Sequence, residues 1–263
     1  MREFLDDVHE HMDDGYGRAQ AHTKTELRKR FYTDVSADEI EGGFAINLDG
    51  RPTKTPGMQK IIVSSRRLAE LMVAEWSVQK THIDPRTMPI VRLVNSAIEG
   101  GEDVASALRE EVLNFAGNDL LLFRAESPKE LVALQNEQWD GLLVKLEKHF
   151  GVLFEPVQGI IHRAQPEKTL TRIAQDMDSA NFLVGTCLVS ITGLTGSALI
   201  ALALRHGLIE ADAGWSIAHV DEDYNASNWG VDPEAVARRD KRKIEYDAAL
   251  KVLALVDEIQ VSA

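Results

Sequence analysis

The densest run of chemically capable side chains in this 263-residue sequence is Val220-Asp221-Glu222-Asp223-Tyr224-Asn225, followed by Asn228-Trp229-Gly230-Val231-Asp232. Three consecutive carboxylates on a helix point in different directions, so one or two can be solvated while another is fixed elsewhere. Acid–base work by a carboxylate pair needs a second group at a defined separation, and the linear sequence does not provide it. The structural expectation here is a helix end, with Gly230 as the stop and Asp232-Pro233 opening the next helix. A second concentration is Ala74-Glu75-Trp76-Ser77-Val78-Gln79. Its indole falls on the inner helix face and reads as core. Glu75 and Gln79, four residues apart, lie side by side and can hydrogen-bond to the connection that follows.

Other chemistries find little support. His9-Glu10-His11 with Asp13 and Asp14 supplies metal-ligand types, but residues i and i+2 of a helix point apart, and no HExxH pair occurs. The remaining histidines stand singly. There is no GxSxG nucleophile elbow, and Cys187 lies in an apolar stretch where a thiol behaves as a small hydrophobe. Gly193-Leu194-Thr195-Gly196-Ser197 is glycine-rich without the lysine of a phosphate-binding loop; close helix packing accounts for its small residues. One cysteine excludes an intramolecular disulfide framework and any multi-thiolate metal site, and fits a reducing compartment. The formal charge of −13 argues against sequence-independent nucleic-acid binding and against docking on anionic lipid. Hydrophobic residues at 44% mark a folded globular chain.

The elements that must position these residues change character along the chain. From Lys24 to Ile62 the pattern is β: strands are expected at Arg30–Val35 and Gly43–Leu48. Asp49-Gly50 is a hairpin turn, Arg51–Lys54 the return, and Lys60–Val63 a further strand. Ser64-Ser65 offers a cap for a helix whose inner face carries Leu68, Leu71, Met72, Glu75, Trp76 and Gln79. After the stiff connection through Pro85 and Pro89 the periodicity is almost all helical. Ser127-Pro128-Lys129-Glu130 reads as a capping box opening a helix through Leu131, Leu134, Gln135, Gln138, Trp139, Leu142, Leu143 and Leu146. Val152 to Ile161 is a short strand or crossing segment. Helices follow near 166–178, 180–206 and 210–226, and the last runs from Pro233 to about Glu258.

The expected fold class is α+β. An acidic tail spans residues 1–23, a small α/β domain 24–85 and a helical domain 86–263. The tail is acidic and lacks the apolar run or arginine-rich composition of a targeting segment, so a cytoplasmic location is expected. Phe182 to Leu204 contains no charge, but eight of its residues are Gly, Ser or Thr, and Gly193–Ser197 would break it in two. It is expected as a buried hairpin or kinked helix, not a membrane span. Net charge is −4 over residues 1–22, +2 over 23–90 and −11 over 91–263, so the acidity belongs to the tail and the helical part.

An ordered series of short motifs runs through these elements. It comprises Leu48-Asp49-Gly50-Arg51-Pro52 with Lys54-Thr55-Pro56, Leu68-Ala69, Glu75-Trp76 with Gln79, and Ile83-Asp84-Pro85 with Thr87-Met88-Pro89. It continues with Arg92-Leu93, Asn95-Ser96-Ala97-Ile98, Asp119-Leu120-Leu121 with Arg124-Ala125-Glu126, Gln135 with Trp139, and Asp221-Glu222 with Trp229-Gly230. The series resembles the assembly chaperones of the F-type ATP synthase that hold the alpha subunit before the catalytic head forms, over roughly residues 27–240. The resemblance implies a small α/β domain followed by a helical one, no enzymatic activity, and no cofactor, metal or nucleotide. It implies the alpha subunit as partner, with its interface shielded until beta replaces the chaperone. A monomer in the bacterial cytoplasm is expected, without nucleic acid or membrane insertion. The family's acidic position maps onto Glu222, making Glu222, Asp223, Asn225 and Trp229 the candidate partner-binding residues, with Trp76 and Gln79 as structural and functional core. The family often has Gln where the shorter amide Asn225 stands. The alternative class is a small-molecule enzyme with an acidic interdomain site.

Overall fold

The computed structural model describes residues 27–159 and 161–257. The His9-Glu10-His11 cluster and the acidic tail fall outside them. Two compact units divide at Gly101 and Glu102.

The first unit is a small antiparallel sheet with helices. Strands β1 (Val35–Ile40), β2 (Gly43–Leu48) and β3 (Arg51–Pro52) form a meander in that order, and β4 (Ile62–Val63) pairs with β2. The Asp49-Gly50 turn forms as its residue types require, with φ of 49° and 73°, the backbone of a type I′ hairpin. The first strand, however, is Val35–Ile40 and not Arg30–Val35. The cause is local. The Asp49 carboxylate accepts from the Thr33 and Asp34 amides at 2.9 and 2.8 Å, so those groups are committed to a side chain, not a ladder. These backbone bonds hold the Asp49 carboxyl below the usual range. Upstream, Arg30 donates to the Tyr32 and Thr33 carbonyls and its guanidinium lies over the Tyr32 ring.

Helix α1 (Arg66–Ser77) starts at the Ser65 cap, whose hydroxyl accepts from the Leu68 amide. Leu68, Ala69 and Met72 are buried. Gln79 lies just past its end, and Glu75 and Gln79 make the bonds their spacing suggests. The Gln79 amide donates to the Glu75 carbonyl at 3.0 Å and to Thr87 Oγ1 at 2.9 Å, and accepts from the Asp84 amide at 2.8 Å. The Glu75 carboxylate accepts from the Ile90 and Val91 amides at 2.9 and 2.8 Å, which are orphan donors of α2 (Pro89–Gly100). That cap ties α2 to α1. The helix after the double proline therefore packs on α1, and the compact unit runs past the 85/86 division drawn from the sequence.

The second unit is helical. Its centre is the uncharged run, which forms α7 (Phe182–Thr195) and α8 (Ala198–Arg205). Gly196 at φ 72° and the Ser197 cap separate them. Helices α3 (Ala105–Gly117) and α11 (Pro233–Val256) pack on α7. Among the described residues no helix is long and apolar enough to cross a membrane. Helices α4 (Lys129–Gln135) and α5 (Gly141–Phe150) continue through a π-helical turn at Asn136–Asp140. The expected capping box does not form: Pro128, not Ser127, holds the cap position, and no side chain caps the helix. Gln135 and Trp139 are buried on the expected face, while Leu134 beside them is exposed. A short parallel pair, β5 (Phe123–Arg124) and β6 (Val157–Gln158), closes this side. Beyond it lie α6 (Glu167–Met177), α9 (Ala211–Ala218) and α10 (Val220–Trp229).

Two buried polar centres lock the bundle. Arg205, fully buried, reaches Asp257 at 2.7 Å and Asp176 at 3.2 Å, and donates to Ser179 Oγ at 2.9 Å. Asp119, also fully buried, accepts from the Ser197 hydroxyl at 2.6 Å and the amides of Leu199 and Leu121 at 2.9 and 3.1 Å. It thereby joins its own turn to the start of α8. Burial pushes the Asp119 carboxyl up to about 6, against those hydrogen bonds, which pull it down. A carboxyl whose native pKa exceeds its unfolded value favours the native state most below the unfolded value, and loses that contribution as pH rises through the native one. Relative to Asp119→Asn, the parent protein should therefore lose about 2 kcal/mol of stability between pH 4 and pH 7. Urea denaturation of both proteins across that range checks this; a pH-independent difference would contradict it.

Candidate partner-binding site

Helix α10 is docked by its first turn. Asp221 Oδ1 accepts from Gln135 Nε2 at 2.8 Å, and Gln135 Oε1 accepts from the Ala125 amide at 2.8 Å. Arg124, itself buried, donates to the Gln135 carbonyl at 3.1 Å and pairs with Asp140 at 2.8 Å. Its guanidinium lies over the Trp139 ring at 5.1 Å, and the Trp139 indole donates to the Ile217 carbonyl at 3.0 Å. The chain Arg124–Gln135–Asp221 thus links β5, α4 and α10.

The three consecutive carboxylates go three ways, as helical phase requires. Asp221 turns inward to Gln135. Asp223 forms a two-point ion pair with Arg239 of α11. Glu222 faces outward, its side chain 60% exposed, with His219 Nε2 3.9 Å from its carboxylate. Asn225 is exposed one turn further on. At the end of the helix Trp229 is 86% exposed, followed by exposed Val231 and Val236. Gly230, at φ 91°, stops the helix, and Asp232 caps α11 by accepting from the Glu234 amide at 2.9 Å. Glu222 and Trp229 are seven residues apart and share one face, since seven residues make nearly two turns. A bare indole costs hydrophobic free energy in water, and Trp is among the residues that dominate protein interfaces.

Trp76 and Gln79 belong to the first unit and do different work. Gln79 is buried and staples the Asp84–Thr87 turn, as described above. Trp76 is half buried, not enclosed, because it lies at the last turn of α1. One face packs edge-on against Tyr32 at 5.7 Å, and the Tyr32 hydroxyl donates to the Trp76 carbonyl at 2.7 Å. Sequence reasoning did not find the link between Gln135 and Asp221, although an amide among the apolar residues of its helix was a visible signal. It also passed over His219. Among the described residues no cluster of three or more His, Cys, Asp or Glu side chains could hold a metal ion.

A small antiparallel sheet with capped helices, followed by a helical unit, is a fold shared with solved chaperone structures. A candidate chaperone from Agrobacterium tumefaciens is 40% identical to this chain, with a TM-score of 0.86 and 97% of each chain covered. Atp12 from Paracoccus denitrificans is 31% identical, with a TM-score of 0.81 over 87% of this chain and 98% of its own. A mutant of that Paracoccus protein matches at 31% identity and a TM-score of 0.80. The ATP12 chaperone protein model matches residues 29–147. The chain belongs to the ATP12 chaperone family.

The geometry separates structural from surface roles. Asp221→Ala leaves the Gln135 amide without its acceptor and should cost about 1–2 kcal/mol. Glu222→Gln should leave stability within about 0.5 kcal/mol of the parent. Gln79→Leu strands the Asp84 amide and the Thr87 turn and should cost about 2 kcal/mol. Thermal and urea denaturation check all three; equal losses at positions 221 and 222 would contradict this assignment.

Proposed function

We propose that this protein is an assembly chaperone for the catalytic head of the F-type ATP synthase. It binds the free alpha subunit and shields the surface that beta later covers. The observation that carries this reading is the α10–α11 corner. In a chain of the ATP12 chaperone family, an 86%-exposed tryptophan shares a helical face with a carboxylate whose two neighbours are already paired. An unassembled subunit exposes an apolar interface that invites aggregation. A chaperone surface that mixes apolar area with one charge can cover such an interface yet release it on exchange, as transient interfaces do.

On this reading the protein acts in the cytoplasm as a monomer and without a cofactor, and binding rather than catalysis is its activity. Asp223, Asn225 and Trp229 frame the contact, and Glu222 makes a charge-assisted bond to a basic group of the client. The commitment of Asp221 to Gln135 and of Asp223 to Arg239 leaves Glu222 as the outward-facing carboxylate of the three, beside the exposed Trp229, which supports a binding role.

Co-expression with the alpha subunit tests the proposal. Alpha should remain soluble and co-purify with the parent protein. It should be largely lost with Trp229→Ala or Glu222→Lys, both of which should keep the parent melting temperature. Alpha that is equally soluble without the protein, or that never co-purifies, would overturn the reading.

A further inference from the structure

The group beside Glu222 is His219, at the junction of α9 and α10. It is 2% exposed, and its ring lies against Trp215 with centroids 4.2 Å apart. Nδ1 sits 2.7 Å from the Trp215 carbonyl oxygen. A carbonyl only accepts, so Nδ1 carries the proton. Burial holds the ring below the ordinary histidine range. The Trp215 carbonyl and Glu222 pull it up, and Arg239 and Arg242 of α11 push it down. At neutral pH the ring is therefore uncharged, and Nε2 presents a lone pair.

Nε2 lies 3.9 Å from the Glu222 carboxylate. The separation is too long for a hydrogen bond, and both atoms are acceptors. Asp223 is held by Arg239, whose charge also reaches Glu222 through space without a direct bond. Arg242 donates to the Leu194 carbonyl. Two acceptors thus converge at the base of the exposed face, one of them on a ring that is almost wholly buried. A group with several N–H donors and a positive charge would satisfy both at once.

We propose that His219 and Glu222 together form a receptor for a guanidinium group of the client, with Trp229 holding an apolar side chain alongside it. This rests on the reading of the corner as the client surface and names the chemistry it selects. Guanidinium suits the pair because its donors are fixed in a planar fork and its charge is weakly hydrated, so less is lost when it is seated against a buried ring. Ala226, half buried and small, lies between Glu222 and Trp229 on the same face. Seven residues of helix span about 10 Å. The client surface should therefore present an arginine with an apolar side chain about that far from it.

Two measurements on the full chain test the receptor. In the first, the histidine-labelled parent protein is titrated with N-acetylarginine amide and with its uncharged citrulline counterpart, and the His219 ring is followed by NMR. The ring resonances should move with the arginine compound and not with citrulline; no movement, or equal movement, overturns the receptor. In the second, affinity for the alpha subunit is compared between two substitutions. His219→Asn keeps a donor for the Trp215 carbonyl but leaves no acceptor near Glu222, and should bind about tenfold more weakly. His219→Gln places an amide near the Nε2 position and should stay within about threefold of the parent. Parent-like affinity of the Asn variant would overturn the receptor. Should the parent fail to hold alpha at all, the client reading falls, and the arginine titration still decides the receptor.

Discussion

A helix without a polar face persists in water only when other elements surround it, and that constraint organises the helical unit. Phe182–Thr195 and Ala198–Arg205 carry no charge before Arg205 and are buried along almost their whole length. Their backbone ends are satisfied from within: Asn181 caps the first helix, and Ser197 and Asp119 cap the second. Arg205 then closes the pair against Asp176 and Asp257. Buried ion pairs of this kind contribute little net stability relative to apolar replacements. Their consequence is geometric, since losing one partner strands a charge in the core.

The exposed corner follows from the same constraint. The helix α11 has 24 residues, about 36 Å of helix. Its buried side chains, Tyr246, Ala248, Ala249, Val252 and Leu253, all lie in the second half, where it covers α7. The first half buries no side chain. Its residues are exposed from Pro233 to Arg238, and the Arg239–Asp223 pair ties it to α10. The result is a two-helix corner whose base is fixed by Gln135 and Arg124 and whose tip stays exposed. A rigid base beneath an exposed aromatic residue limits the ordering cost of binding.

Local rules made much of this legible before any coordinates. Asp49-Gly50 could only be a tight turn, Ser65 and Asp232 announced helix starts, and the Gly196-Ser197 pair had to interrupt the apolar run. Glu75 and Gln79 could be paired by spacing alone, and both reach the connection after α1. The departures have separate causes. The first strand was misplaced because the Asp49 side chain, sixteen residues away, takes the amides of Thr33 and its neighbour. The Ser127 cap failed because Pro128 occupies the cap position instead. The division of the chain was drawn at the prolines because sequence cannot weigh two hydrogen bonds from Glu75 to the far side of that connection.

By itself, then, the sequence determined the α+β class, the turns and caps, the uncharged core helix and the resemblance to a chaperone family. Each of these depends on interactions within a few residues or on the order of short motifs. Tertiary structure alone decided which of three adjacent carboxylates was free. Asp221 is claimed by an amide 86 residues earlier in the chain and Asp223 by an arginine 16 residues later, so Glu222 is left facing outward. Helical phase says that the three must diverge, but only the packing of α4 and α11 on α10 says which one meets solvent, an exposed tryptophan and a buried histidine.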